Sequence, residues 1–245
     1  MSKSSVAVAP ARAVANAPQV FDLAQQPLRD LNAALHRIDD AADEPVWEVV
    51  NAKGSHALAA GVDKPVSIYV HGSVGYYCAG MNDGGEITVH GSAGPGLAEN
   101  MMSGKVVVKG DASQYAGATG RGGLLVIEGN ASSRCGISMK GIDIVVRGNI
   151  GHMSAFMAQS GNLVVLGDAG DALGDSIYEA RLFVRGKVRS LGADCIKKDM
   201  RPEHMAQLRE LLARAGIDDA NPEEFSRYGS ARTLYNFNID NADAY

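Results

Sequence analysis

The stretch Ile68-Tyr69-Val70-His71-Gly72-Ser73-Val74-Gly75 decides the fold, because its central glycine is the first of a series. Gly72, Gly91, Gly110, Gly129, Gly148, Gly167 and Gly186 are each separated by 19 residues. With 29 glycines in 245 residues, six further hits from a fixed start have a chance probability of about three in a million. Other columns keep the same period. Four residues before each glycine stand Ile68, Ile87, Val106, Leu125, Ile144, Leu163 and Leu182. Two before it stand Val70, Val89, Val108, Ile127, Val146, Val165 and Val184. Alternate residues of a strand share a face, so these two columns point inward together. The residue just before each glycine is mostly polar, as in His71, His90, Lys109 and Arg147, and points outward.

Seven residues after each glycine comes only Ala or Gly, and a second glycine position follows at Gly85, Gly104, Gly123 and Gly161. A short β-branched strand, a glycine corner, a small-residue turn and another glycine corner make one rung of a solenoid. A rung cannot bury its inward face alone and must stack on its neighbours. The fold class is therefore all-β, a right-handed parallel β-helix of about seven 19-residue turns with short flanking α-helices. Parallel strands about 4.8 Å apart give seven rungs a length of about 34 Å. A phosphate-binding loop is the rival reading of Gly72-Ser73-Val74-Gly75, but such a loop occurs once, before a helix. Seven copies without intervening helices exclude it.

Composition agrees. Aromatic residues are 6% of the chain, so the core is aliphatic, and a net charge of −5 argues against a nucleic-acid partner. No apolar run approaches the length of a membrane span. Cys78, Cys135 and Cys195 are widely spaced and odd in number, which points away from zinc, clusters and disulfides and toward a reducing compartment. Residues 1–21 carry Lys3 and Arg12, no acid and no continuous apolar core. They read as a disordered tail rather than a signal peptide, and the expected location is the cytoplasm.

The ends of a solenoid need caps. Pro27 to Ile38 predicts a helix with Leu28, Leu31, Leu35 and Ile38 on one stripe, and Trp47 to Val50 a strand opening the first, irregular turn. Glu203 to Ala215 predicts an amphipathic helix begun by Pro202 and stopped by Gly216. Asn221-Pro222-Glu223-Glu224 predicts a further short capped helix, and Leu234 to Phe237 a docked extended segment. The domain plan is thus a tail (1–21), an N-terminal helical cap (22–47), the β-helix (48–198) and a C-terminal helical tail (199–245). One column breaks the alternation: Tyr69, Thr88, Val107, Val126, Val145, Val164 and Phe183 should face outward, yet the last five are apolar. Something must cover them, either the chain's own terminal helices or a partner protein. Val107, Val126, Val145, Val164 and Phe183 are accordingly the candidate partner interface.

The search for chemistry finds no defensible active site. Cys78 and Cys135 share a column with Leu97, Ala116 and Leu173, which marks them as packing residues. His71 and His90 lie on adjacent rungs, but two neutral ligands without a carboxylate column make a poor metal site. Arg121, Arg134 and Lys140 in the turns are a weak anion-binding signal. Glu86, Lys105, Asp143 and Arg181, five before the glycine, read as a surface ladder of weak ion pairs. Catalytic, cofactor-binding and metal-binding residues are expected to be absent from this chain.

The Val-x-Gly-x-x-Gly rungs over about residues 48–198, with Gly54-Ser55-His56-Ala57-Leu58-Ala59-Ala60-Gly61 as lead-in, resemble the GXGXG family. That family includes the C-terminal β-helix domain of the glutamate synthase large chain, and subunits of formylmethanofuran dehydrogenase and of a formyltransferase/hydrolase complex. The size and the tail through Tyr235-Asn236-Phe237 look most like the stand-alone glutamate-synthase-like subunit of methylamine–glutamate N-methyltransferase (N-methylglutamate synthase). The resemblance implies a scaffold between two partners. One is a class II glutamine-amidotransferase-like subunit, and the other a glutamate-synthase-like subunit carrying FMN and an iron–sulfur cluster. The chain begins Met1-Ser2 and lacks closely spaced cysteines, so it fits neither partner's role. The alternatives are the β-helix subunit of a formyl-transferring complex, and a free-standing sugar-cleaving or acyl-transferring β-helix enzyme. The last needs carboxylates or histidines gathered on one face, which no column supplies.

Overall fold

The computed structural model describes residues 17–39 and 45–234. Its centre is one sheet ladder built from β1 (Gln19–Asp22), β2 (Val46–Val50), β3 (Ser67–His71), β4 (Glu86–His90), β5 (Lys105–Val108), β6 (Leu124–Ile127), β7 (Lys140–Val146), β8 (Ser160–Val165) and β9 (Arg181–Val184). These nine strands pair in parallel in chain order, coiling right-handedly as parallel crossovers do. The register keeps the predicted columns aligned: Ile68 pairs with Ile87, Ile87 with Val106, and so on to Leu163 with Leu182. Both inward columns are buried within one aliphatic core.

The landmark glycines are required for close approach more than for unusual backbone angles. The N–H of Gly110, Gly129, Gly148, Gly167 and Gly186 donates to the carbonyl of the glycine one rung earlier, at 2.9–3.1 Å. A Cβ at Gly129 would lie 2.4 Å from Asp111 Oδ1 and 2.7 Å from the Gly110 carbonyl. The residue following the glycine extends this seam. Asp111 Oδ1 accepts from Asn130 N at 2.7 Å, Asn130 Oδ1 from Asn149 N at 2.9 Å, and Asn149 Oδ1 from Asp168 N at 2.7 Å. Ser73 and Ser92 begin this side-chain ladder, and Asp168 ends it on Lys187 N. Beside it runs a second, one-residue β ladder through Val74, Ala93, Ala112, Ala131, Ile150, Ala169 and Val188.

The small-residue column turns the chain. Ala79, Ala98, Gly117, Gly136, Ala155 and Gly174 are all left-handed (φ 52–69°), and all are buried. Hydrogen bonding alternates in direction across this turn. Tyr77 N donates forward to Pro95 O, Ala79 N back to Leu58 O, and Met81 N forward to Glu99 O, at 2.8–2.9 Å. A side chain here points into the core, where a Cβ on Gly117 would lie 2.6 Å from Ile144 Cδ1. Only Ala and Gly fit.

The chain joins the ladder earlier than residue 22, because Gln19–Asp22, with Phe21 buried, pairs with β2 instead of belonging to a tail; residues 1–16 lie outside the described residues. α1 (Leu28–Leu35) closes that end, burying Leu31 and Leu35. Asn32 acts as a surrogate rung: its Nδ2 donates to Ala57 O at 2.9 Å and its Oδ1 accepts from Ala59 N at 3.0 Å. At the other end, β10 (Cys195–Lys198) and β11 (Ser226–Ser230) turn antiparallel, with β11 inserted between β9 and β10. Between them lie α2 (Pro202–Ala215), ended by left-handed Gly216, and a 3-10 turn (Pro222–Glu224) whose Asn221 side chain accepts from Glu223 N. The tail after residue 199 thus contributes a strand as well as helix. The expectation for Leu234 to Phe237 lies outside the described residues beyond Leu234.

Candidate functional site

The outward column divides into a sheltered half and a bare half. α2 lays Leu208, Leu211 and Leu212 on Val126, Val145, Val164 and Phe183, and Ile217 and Phe225 complete a second core. Val126 is 2% exposed and Val145, Val164 and Phe183 are 0% exposed. These four residues therefore offer no free surface to a partner, and the interface expectation placed on them is corrected: the chain's own helix is the cover. Val107 sits at the rim, half-buried against the same cluster. Toward the N-terminal end the shelter stops. Thr88 and Glu48 are half-buried, and Tyr69 is 39% exposed.

The column expected to form an ion-pair ladder instead pins α2. Lys105 Nζ donates to the Arg214 carbonyl at 3.1 Å, Arg214 Nη1 to Asp143 Oδ2 at 2.8 Å, and Arg181 Nη1 to Gln207 Oε1 at 3.4 Å. Arg147 also reaches Asp219 at 2.7 Å. Lys105, Asp143 and Arg181 of this column thus find partners on the helix, and Asp143 also accepts from Asn162 Nδ2 on the next rung at 2.7 Å.

On the bare face the imidazoles of His71 and His90 stack nearly parallel, with centroids 5.4 Å apart and an angle of 8°. Tyr69 stacks on His90 at 6.4 Å, and Glu48 Oε2 lies 3.5 Å from His71 Nε2. Glu48 is the carboxylate that the 19-residue columns did not reveal, since the first turn is longer: Glu48 pairs with Tyr69 across 21 residues. Even so, no group of three or more His, Cys, Asp or Glu side chains among the described residues is arranged to hold a metal. The patch is aromatic, polar and open, suited to contact rather than coordination.

The three thiols are withdrawn from use. Burial pushes the Cys78 and Cys135 thiols up to about 12. Cys195 is also pushed up to about 12, by burial first and then by Asp194 and Asp175. Thiols held protonated beneath packed side chains do not react at neutral pH. Arg121 lies exposed on a turn, and Lys140 is exposed at the start of β7. Among the described residues, no helix is long and apolar enough to cross a membrane.

Over 226 residues, 92% of its own length and 99% of the relative's, the chain is 75% identical to Protein GlxC of Rhizobium meliloti (strain 1021). It belongs to the GlxC family. No family model matches the chain, so the GXGXG likeness rests on the glycine columns themselves. An alignment spanning 92% of a GlxC-family chain reaches beyond the seven rungs into the flanks, where the caps lie.

Proposed function

We propose that this GlxC-family protein is a non-catalytic scaffold subunit of a glutamate-synthase-like assembly, with N-methylglutamate synthase as the specific complex. It would hold a class II glutamine-amidotransferase-like subunit against a subunit carrying FMN and an iron–sulfur cluster, in the cytoplasm. The observation that carries the reading is the divided outer face. The chain shelters Val126 to Phe183 with its own helix and leaves Tyr69, His71 and His90 exposed on the same sheet, with Glu48 and Thr88 half-buried beside them. A rigid rod with one open aromatic and polar face is built to be gripped, since Tyr is among the residues that dominate interface energetics. The resemblance of its rungs to the β-helix domain of the glutamate synthase large chain supplies the class of assembly. The buried thiols fit a chain whose chemistry is done by partners.

The test is native purification of the tagged chain, mass spectrometry of what accompanies it, and a flavin absorbance scan. Amidotransferase-like and flavin-bearing subunits, with N-methylglutamate formed only by the assembly, are the expected result. An amidohydrolase-like partner without flavin transfers the chain to a formyl-transferring complex. A partner-free monomer with its own activity overturns the scaffold reading.

A further inference from the structure

The C-terminal closure gathers positive charge in a protein whose net charge is −5. Lys198 on β10 stands directly across from Arg227 on β11, and Arg227 in turn stands across from Phe183 on β9, two residues from Arg181. Like charges placed opposite one another in a sheet repel. Arg227 is only 3% exposed. Its Nε donates to the Asp199 carbonyl at 2.9 Å, and Lys198 Nζ donates to the Ser230 carbonyl at 3.0 Å. Both hydrogen bonds end on neutral oxygens.

These side chains, with Arg232, line a cleft of about 270 Å³ counting its open mouth; Glu179 is the acid on its wall. The closed part admits little more than one water, so the ligand must be small and held at the entrance. Two further acids have partners of their own, while Asp199 and Glu203 partly offset the charge of Arg227. Asp194 accepts from Ser230 Oγ at 2.6 Å and from Thr233 N at 2.8 Å, and Glu203 Oε1 lies 3.7 Å from Arg201. The Lys198 ammonium is held below its ordinary range by burial and then by Arg232, Arg227 and Arg201, against which Asp194 acts alone. Burial, followed by Arg201 and Arg181, lowers Arg227 as well, against the smaller opposing effects of Asp199 and Glu203.

We propose that this cleft between β9, β10 and β11 binds a small oxyanion of phosphate or sulfate size, held by Arg181, Lys198, Arg227 and Arg232. The guanidinium fork matches such an oxyanion through paired N–H donors, and a lysine supplies a point charge. The bound anion ties the inserted β11 to both neighbours, so it acts as an electrostatic latch on the open end of the solenoid.

The experiment uses the full chain and inorganic phosphate. Thermal unfolding is followed at low millimolar phosphate, with sodium chloride at matched ionic strength as reference, and phosphate binding is read directly from ³¹P line broadening. The expected result is a midpoint that climbs with the logarithm of phosphate concentration and not with chloride. Lys198→Gln and Arg232→Gln each weaken phosphate roughly tenfold, the loss of one charge-assisted hydrogen bond. Lys198 lies on the outermost strand and is half-exposed, so its variant retains the fold. Arg189→Gln, on an exposed turn, leaves the response unchanged. Equal midpoints in phosphate and chloride overturn the proposal, as does a phosphate response and line broadening that both cleft variants keep, which is general salting of the surface.

Discussion

At the scale of single residues, this molecule separates two reasons for glycine that sequence alone merges. Gly129 is needed because another backbone passes where its side chain would be. Gly216 has open space around it and is needed for its left-handed φ of 73°. Gly129→Ala should cost about 3 kcal/mol, because the clashing atoms belong to a hydrogen-bonded ladder that cannot step aside. Gly216→Ala should cost about 1 kcal/mol, the ordinary penalty of the left-handed region. Denaturant unfolding of the two variants distinguishes them. The ladder residue Asn130 gives a third value: Asn130→Ala removes the acceptor for Asn149 N and the donor to Asp111, for about 1 kcal/mol. The buried thiols make a pH prediction. Cys78 ionises near 9.0 once unfolded but near 12 when folded, so the folded state keeps a proton that the unfolded state loses. Its contribution is intact below pH 9 and declines from there toward pH 12, at about 1.4 kcal/mol per pH unit. Cys78→Ala should therefore flatten the fall of stability between pH 9 and 10 by about 1 kcal/mol, since the unfolded thiol is only half ionised at pH 9, whatever it does to stability at pH 7.

At the scale of elements, α2 is held by three leucines and a row of polar pins, and its removal would expose an apolar stripe. Leu212→Ala should destabilise by about 2–5 kcal/mol. Leu212→Asp should free the helix and raise binding of a hydrophobic dye without melting the rungs, whose inward core is separate. Unchanged dye binding would show that the stripe has another cover. The two helices, the 3-10 turn and the seven rungs were legible in the sequence because each repeats a period or carries a cap. The oxygen ladder was not, since Ser73, Ser92, Asp111, Asn130, Asn149 and Asp168 differ in residue type while sharing one acceptor role. The left-handed positions flanking the small column were hidden for a similar reason. Tyr77, Arg134, Met153 and Met157 adopt that conformation because stacking dictates it, not because their side chains favour it. β11 left no trace either: an antiparallel strand used once has no column to reveal it. The candidate surface was half legible, since the apolar run from Val107 announced a cover but its owner depended on where a distant helix lands.

At the scale of the whole molecule, the rod is sealed differently along its length. Its ends are closed by α1 and by β10 with β11, and half of its outer sheet by α2. The part of the outer sheet left uncovered among the described residues is the face of β2 to β4, where a stack of Tyr69, His90 and His71 lies open beside Glu48. Exposed side chains contribute little to the stability of an isolated chain, typically within about 0.5 kcal/mol. An interface residue behaves oppositely, being neutral alone and costly in the complex. Tyr69→Arg should therefore leave the unfolding midpoint of the isolated protein unchanged while weakening its hold on partner subunits at least tenfold, as loss of a central tyrosine does. Ala206→Arg, on the solvent side of α2, is the matched control, adding the same charge on the sheltered half. Co-purification yield of the two variants decides the matter. If Tyr69→Arg alone loses its partners, the bare half of the sheet is where the assembly is held. Equal retention by both would move the interface off this sheet, leaving the turns of the solenoid as the surface through which a scaffold of this shape could act.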